Sequence, residues 1–488
     1  MKRTSLTTAV IAGIAGVAGI SNMASAVYLN QDGLGQVLIY PYYTVRGDNT
    51  TLLTVVNTTA QGKAVKVRFL EAYDSREVLD FNLYLSPHDV WTAGVVPVGD
   101  GAGVWTNDNS CTVPTVPTGS AANAYPFQTY AYDGTIGDTD GGPTDVDRTN
   151  EGYVELIEMG TVVNTDDGSL AAITHSAGVP ANCAKVNAAW GDGGYWATSA
   201  TADIAAPTGG LFGDGAIINV PGGTISGYAA DAIDQFYVIA NHTAPGSLQP
   251  SIASATSTTS YVFAPSPSST TPTLVTTTYA AGIDAVSSLF TADWIYNEYW
   301  TAGGTAANSE WVVTFPTKRF YVDPDQTGGV AYQPFDAVFD GVSCAPITLA
   351  TYDREEKSPV GTVNFSPSPT HGNSLCYEAQ VVAFNQGTVK PGVASAVLDS
   401  VLATNIPVPS NNGWVGIDLY DGATSTHYLP ATYTTAGANV FRGLPVTGFW
   451  VANLVNGNVD GVLSNYSALF RHKLHRVCAY ANGTAACS

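Results

Sequence analysis

Basic residues are scarce in this chain: 18 Lys and Arg stand against 40 Asp and Glu, and charged residues of both signs make up only 12% of 488 positions. Such a surface repels phosphates and anionic headgroups, which argues against nucleic acid and against an acidic membrane as partners. After the first 26 residues no apolar run approaches the roughly 20 residues of a transmembrane helix, so no transmembrane anchoring is expected. Catalytic signatures are missing as well. The sequence holds no G-x-S-x-G elbow, no H-E-x-x-H helix and no G-x-x-x-x-G-K-[ST] loop. Its six cysteines form no Cys-x-x-Cys pair, which removes zinc-ribbon and thioredoxin-like readings.

The N-terminus is the most explicit feature that is present. Lys2 and Arg3 precede an apolar run from Ala9 to Ile20, and Ala24-Ser25-Ala26 supplies the small residues of a cleavage site. This order predicts a signal peptide over residues 1–26 and a mature chain starting at Val27. Loss of Lys2 and Arg3 leaves 16 of the 18 basic residues against 40 acidic ones, a formal charge of −24. The expected destination is the cell surface or the exterior, with the periplasm as the alternative. In such an oxidising compartment Cys111, Cys183, Cys344, Cys376, Cys478 and Cys487 are expected to form disulfides, paired sequentially so that each closes a local loop.

Abundant Gly, Thr, Ser, Tyr and Val point to an all-β chain with long loops. Alternating runs at 36–44, 52–57, 64–70, 78–85 and 90–96 predict antiparallel strands with short breaks. In the third run Val65, Val67 and Phe69 share one face and Lys66 and Arg68 the other. Residues 244–280 are rich in Ser, Thr and Pro and read as a linker. Beyond it, Ile283, Val286, Phe290 and Trp294 recur at helical spacing. The expected architecture is mainly antiparallel: two tandem β-sandwich-like domains over 27–243 and 281–488, with one or a few short helices. Three echoes suggest that the halves arose by duplication. Leu70-Glu-Ala-Tyr73-Asp74 is matched by Leu349-Ala-Thr-Tyr352-Asp353, Gly152-Tyr153-Val154 by Gly413-Trp414-Val415, and Gly227-Tyr228 by Gly448-Phe449, in the same order.

Among candidate sites, the acidic loop from Asp133 to Asp147 stands first. Asp138, Asp140, Asp145 and Asp147 alternate with Gly and Thr and could curl oxygens around a hard cation, so calcium is the expected cofactor. The competing reading is an acidic loop that serves solubility. Asp166-Asp167-Gly168 and Asn456–Gly461 are weaker versions. Glu155 and Glu158 lie in one apolar strand, but residues three apart face opposite sides, so they do not form a hydrolytic pair. His472 and His475 sit in the basic segment Arg471–Arg476, read as a solvated face able to dock an acidic partner. Trp294, Tyr296, Tyr299 and Trp300 could stack on sugar rings or, at helical spacing, dock onto a core.

The segments Val27–Gln36, Glu151–Gly160 and Trp311–Val322 resemble uncharacterised exported proteins of Gram-negative bacteria, across most of the mature chain. The resemblance implies export and a β-rich fold and brings no catalytic residue or ligand. The expected function is that of a secreted, non-enzymatic structural or adhesive protein of the cell surface or extracellular matrix. It would be calcium-stabilised and would assemble with itself or other surface proteins through sheet edges. The alternative is a secreted protein that binds or cleaves polysaccharide.

Overall fold

The five alternating runs of the N-terminal half form strands close to the expected limits: β1 (Val37–Thr44), β2 (Asn49–Asn57), β3 (Gly62–Glu71), β4 (Glu77–Leu85) and β5 (Val90–Val98). They continue in β6 (Gly101–Trp105), β7 (Glu151–Val162), β8 (Leu211–Asn219), β9 (Thr224–Ala229) and β10 (Asp231–Asp234). The computed structural model describes residues 26–265, 271–301, 307–358, 374–385, 394–408, 410–421, 426–431 and 439–480. Residues 1–25 of the leader expected over 1–26, and Cys487, lie outside them. Strand accounts for 47% and helix for 12%, which places the chain in the expected all-β class.

One N-terminal sheet contains the order β10-β1-β7-β3-β4, and the other β9-β8-β2-β5-β6. Tyr40 of β1 links them by donating its hydroxyl to the Thr54 carbonyl of β2 at 2.6 Å. Helices α1 (Ser169–Ile173), α2 (Cys183–Ala189) and α3 (Tyr195–Thr198) lie in the long excursion between β7 and β8. Within the stretch read as a linker, β11 (Thr259–Ala264) pairs with β12 (Thr273–Thr278), and Val262, Ala264, Val275 and Tyr279 are buried. Val27, the expected first mature residue, is buried too and donates its amide to the Thr259 carbonyl.

The expected helix ends early. Helix α4 spans Gly282–Phe290, and Trp294 instead opens β13 (Trp294–Trp300). The run Trp-Ile-Tyr-Asn-Glu-Tyr-Trp alternates with period two, and seven consecutive cross-strand partners outweigh the helical spacing that precedes it. The second half continues with β14 (Ala307–Thr314), β15 (Thr348–Asp353), β16 (Ala379–Asn385), β17 (Ala403–Pro407), β18 (Asn412–Asp418), β19 (Thr447–Val459), β20 (Val462–Arg471) and β21 (Lys473–His475). Its sheets run β15-β18-β13-β21 and β17-β16-β14-β19-β20.

These orders repeat those of the first half. The path β10-β1-β7-β3 corresponds to β21-β13-β18-β15, and β9-β8-β2-β5-β6 to β20-β19-β14-β16-β17, with all nine strands in the same chain order. One pairing differs in sense: β16 and β17 are parallel where β5 and β6 are antiparallel. One of the three echoes falls on equivalent positions, Gly152 and Gly413; the first is three residues out of register, since Leu70, not Tyr73, is the counterpart of Tyr352. Gly152 of β7 sits between Tyr43 and Glu71, and Gly413 of β18 between Tyr299 and Asp353. A Cβ at Gly152 would stand 2.0 Å from the Leu70 carbonyl oxygen, and one at Gly413 would stand 1.9 Å from that of Tyr352. Neither position tolerates a side chain, for the same reason. The third echo does not correspond, because Gly227 lies on β9 and Gly448 on β19.

Among the described residues no sheet mixes strands of the two halves, yet buried residues of both form one continuous core, with a smaller cluster around Trp196 apart from it. Polar groups cross the seam. The Ala72 carbonyl accepts the amides of Glu378 and Ala379, and Tyr153 donates to the Pro316 carbonyl at 3.2 Å. Arg76 reaches Asp323 at 2.9 Å and Asp325 at 3.1 Å.

Candidate functional site

The sheet β15-β18-β13-β21 carries a row of aromatic side chains on one face. Trp294 and Tyr296 of β13 stack with ring centroids 5.7 Å apart and 4° between their planes. Tyr296 approaches Trp414 of β18 at 6.3 Å, and Trp414 stacks on Tyr352 of β15 at 4.5 Å. Strand alternation sets the row, since Tyr352 lies opposite Trp414, and Trp414 opposite Glu298. Gly416 makes room for it: a Cβ there would stand 2.8 Å from the Tyr296 ring. Trp414 is 41% exposed, and Glu298 beside it is exposed. Asp418 and Asp353 border the row, their carboxylates accepting backbone amides at Tyr420, Glu355 and Lys357. Burial pushes the carboxyls of Asp418 and Asp293 above the usual range. The row therefore offers apolar ring surface beside hydrogen-bond acceptors.

The sequence reading found half of this row and misplaced the rest. Trp294 and Tyr296 belong to it, but as strand neighbours. Tyr299 points into the core, where its hydroxyl meets Ser410 at 2.8 Å, and Trp300 packs on Trp450. Tyr352 and Trp414 were missed. The signal was available, because both sit in the echoed motifs, and strands that pair in one copy pair in the other.

The equivalent face of the first half is closed. Glu155, Arg68 and Lys66 lie there, buried under the chain that follows β10. Arg68 binds Glu77 and Glu155, both at 2.6 Å, and Lys66 binds Asp80 and the Ala244 carbonyl. The face that alternation gives to Lys66 and Arg68 is thus a buried ladder of ion pairs. Glu158 is paired separately, with Lys63 at 2.8 Å.

The four loop carboxylates do not converge. Asp140 is buried and held by Arg148, its Oδ1 accepting from Nη1 at 2.9 Å, while its carbonyl accepts the Gly341 amide of the other half. Asp147 is exposed and paired with Arg46 at 2.9 Å. Asp138 and Asp145 are exposed, and Asp145 contributes its carbonyl to the Tyr132 hydroxyl. Arginines thus supply, at Asp140 and Asp147, the positive charge that a cation was expected to bring. Among the described residues no cluster of three or more His, Cys, Asp or Glu side chains could hold a metal ion. The weaker Asp166-Asp167 motif wraps backbone amides around the Asp203 carboxylate, and Asn458 caps the Gly461 amide of a hairpin turn.

Disulfides join Cys111 to Cys183 and Cys344 to Cys376, as sequential pairing requires. Cys478 is disulfide-bonded as well. The basic segment is exposed at Arg471, Lys473 and His475 and buried at His472, and several of its side chains are paired within the chain. Arg471 pairs with Asp231 at 3.0 Å, and Arg476 donates to the Leu289 and Thr291 carbonyls at the C-terminal end of α4. His475 meets Asp293 at 2.7 Å, whereas His472 is buried between Asn297 and the Val312 carbonyl.

Burial holds the His472 ring neutral, pushing its pKa down to about 4 from 6.5. The unfolded chain takes up this proton near pH 6.5 and the folded chain only near 4, so the contribution to stability is intact above 6.5 and lost as pH falls toward 4. His472→Gln is expected to destabilise at pH 7, with a gap to wild type that closes by up to about 3 kcal/mol between pH 6.5 and 4. Urea unfolding across that range measures it. A gap independent of pH would contradict the buried neutral ring.

No protein-family model, curated protein or solved structure matches the chain.

Proposed function

We propose that the chain is an exported, non-enzymatic adhesive protein of two sandwich-like halves, and that it holds a neutral carbohydrate on the aromatic row of Trp294, Tyr296, Trp414 and Tyr352. The observation that carries this reading is an open, aromatic sheet face in one half where the matching face of the other half is buried by its own chain. Pyranose rings present apolar C–H faces and peripheral hydroxyls, which suit aromatic surface bordered by carboxylate acceptors. The acidic rim and the overall negative charge disfavour anionic polymers. The leader-like N-terminus and the disulfides support an oxidising exterior compartment.

Co-sedimentation with insoluble neutral polysaccharides such as cellulose, chitin and xylan tests the proposal. Binding is expected, and Trp414→Ala should weaken it roughly tenfold, equivalent to about 1.4 kcal/mol, while the thermal midpoint stays near that of wild type. Unchanged binding in Trp414→Ala and Trp294→Ala would move the site elsewhere. Binding confined to anionic polymers would refute the reading.

A further inference from the structure

Two hairpins, β8–β9 from one half and β19–β20 from the other, stand side by side with their equivalent strands β9 and β20 adjacent. Asn465 donates to the Gly222 carbonyl at 2.7 Å, Arg471 to those of Ala229 and Ala230 at 2.9 and 3.1 Å, and Ser467 to that of Ile225. Leu463 lies against Gly223, where a Cβ would collide with it. Side chains of the long edge β20 thus seal the edge of β9.

The solvent faces of these hairpins are apolar. Ile225 is 60% exposed, Val459 49%, Val462 64%, Tyr466 60% and Phe470 58%. The register places Val459 opposite Val462, and Val462, Tyr466 and Phe470 alternate onto one face of β20, where Phe470 stacks on the buried Trp450. Residues 211–230 contain a single charged residue, Asp214, and residues 447–470 a single one, Asp460. Monomeric proteins in water rarely leave such a surface uncovered.

We propose that this face docks against the same face of a second copy of the chain, forming a two-fold dimer. Charge selects the occupant. A chain with 18 basic and 40 acidic residues repels its own copy over most of its surface, and this nearly uncharged patch is where two copies can approach. A two-fold contact brings the patch onto itself and needs no complementary site elsewhere. Tyr466 and Phe470, aromatics of roughly 150–250 Å² each, expose on the order of 240 Å² per copy. Ile225, Val459 and Val462 raise this to about 500 Å², so the pair would bury on the order of 1,000 Å², below the standard interface size. A weak dimer follows, one that strengthens as salt screens the surrounding repulsion. This inference stands apart from the carbohydrate reading, because the aromatic row lies on another sheet.

Analytical ultracentrifugation of the mature protein from about 1 to 100 µM, at low and at high salt, tests it. Wild type is expected to pass from monomer to dimer with rising concentration, at lower concentration in high salt. Tyr466→Lys and Phe470→Lys, checked for folding by circular dichroism, should each shift the midpoint at least tenfold upward, and Val462→Asn should do so more mildly. Polysaccharide binding by these variants should match wild type. A wild type monomeric throughout overturns the proposal. So does a monomer that floats with phosphatidylcholine vesicles, which would assign the face to a lipid surface, or a dimer indifferent to all three substitutions.

Discussion

Arg148→Met is expected to cost about 3–5 kcal/mol of stability, the penalty for stranding buried carboxylates without their cation. The Arg148 guanidinium is buried, with Nε and Nη2 donating to Glu71 at 2.7 and 2.9 Å and Nη1 to Asp140 at 2.9 Å. It also lies 4.3 Å from the ring centre of Tyr132 and 5.1 Å from that of Tyr73. Glu71 is fixed by three backbone amides, those of Tyr73, Asp74 and Arg76, so it cannot swing out to water when the arginine is lost. Asp145→Ala in the same loop removes an exposed carboxylate and should change stability by less than about 0.5 kcal/mol. Chemical denaturation of the two variants gives the comparison. Equal effects would mean that the Arg148 cluster does not organise the acidic loop.

The second large effect is expected at the Cys111–Cys183 disulfide. It closes a loop of 72 residues and ties α2 to the short strand Cys111–Val113 at the end of the first sheet. Chain entropy assigns roughly 4 kcal/mol to a loop of that length, somewhat more than to the 32-residue loop of Cys344–Cys376. The double variant Cys111→Ser/Cys183→Ser should therefore unfold at markedly lower denaturant. It should also become sensitive to protease within residues 163–205, where the helices are short and the core they join is small. A variant with wild-type stability would show that packing of Trp196 against Tyr84 already fixes this excursion.

What could be read from the sequence followed local rules. The strands β1 to β5 alternate strongly enough to announce themselves, and the first two cysteine pairs close local loops. The echo at Gly152/Gly413 was legible because a glycine must sit wherever a neighbouring carbonyl oxygen stands within 2.0 Å of the place a Cβ would take. What failed depended on distant chain. Lys66 and Arg68 alternate like a solvent face, yet they are buried by residues near Ala244 that sequence spacing does not bring to mind. Trp294 fits a helix until the strand pairing with Asp418 is known. The pairing of Asp140 and Asp147 was not legible in the acidic loop because their partners, Arg148 and Arg46, lie beyond the motif or on another element.

The sealing of β9 by β20 sets a schedule for the growing chain. The contacts that cover β9, such as Ile225 with Ser467 and Ala229 with Arg471, join residues 242 positions apart. At synthesis rates of roughly 5–20 residues per second, the edge of β9 waits on the order of ten to fifty seconds for its cover. During that interval the first half presents an unprotected strand with open amides and carbonyls, the kind of edge on which nascent chains join one another. Chaperone demand for this protein therefore concentrates in the period before residue 471 emerges, and the order of synthesis becomes part of how the fold avoids aggregation.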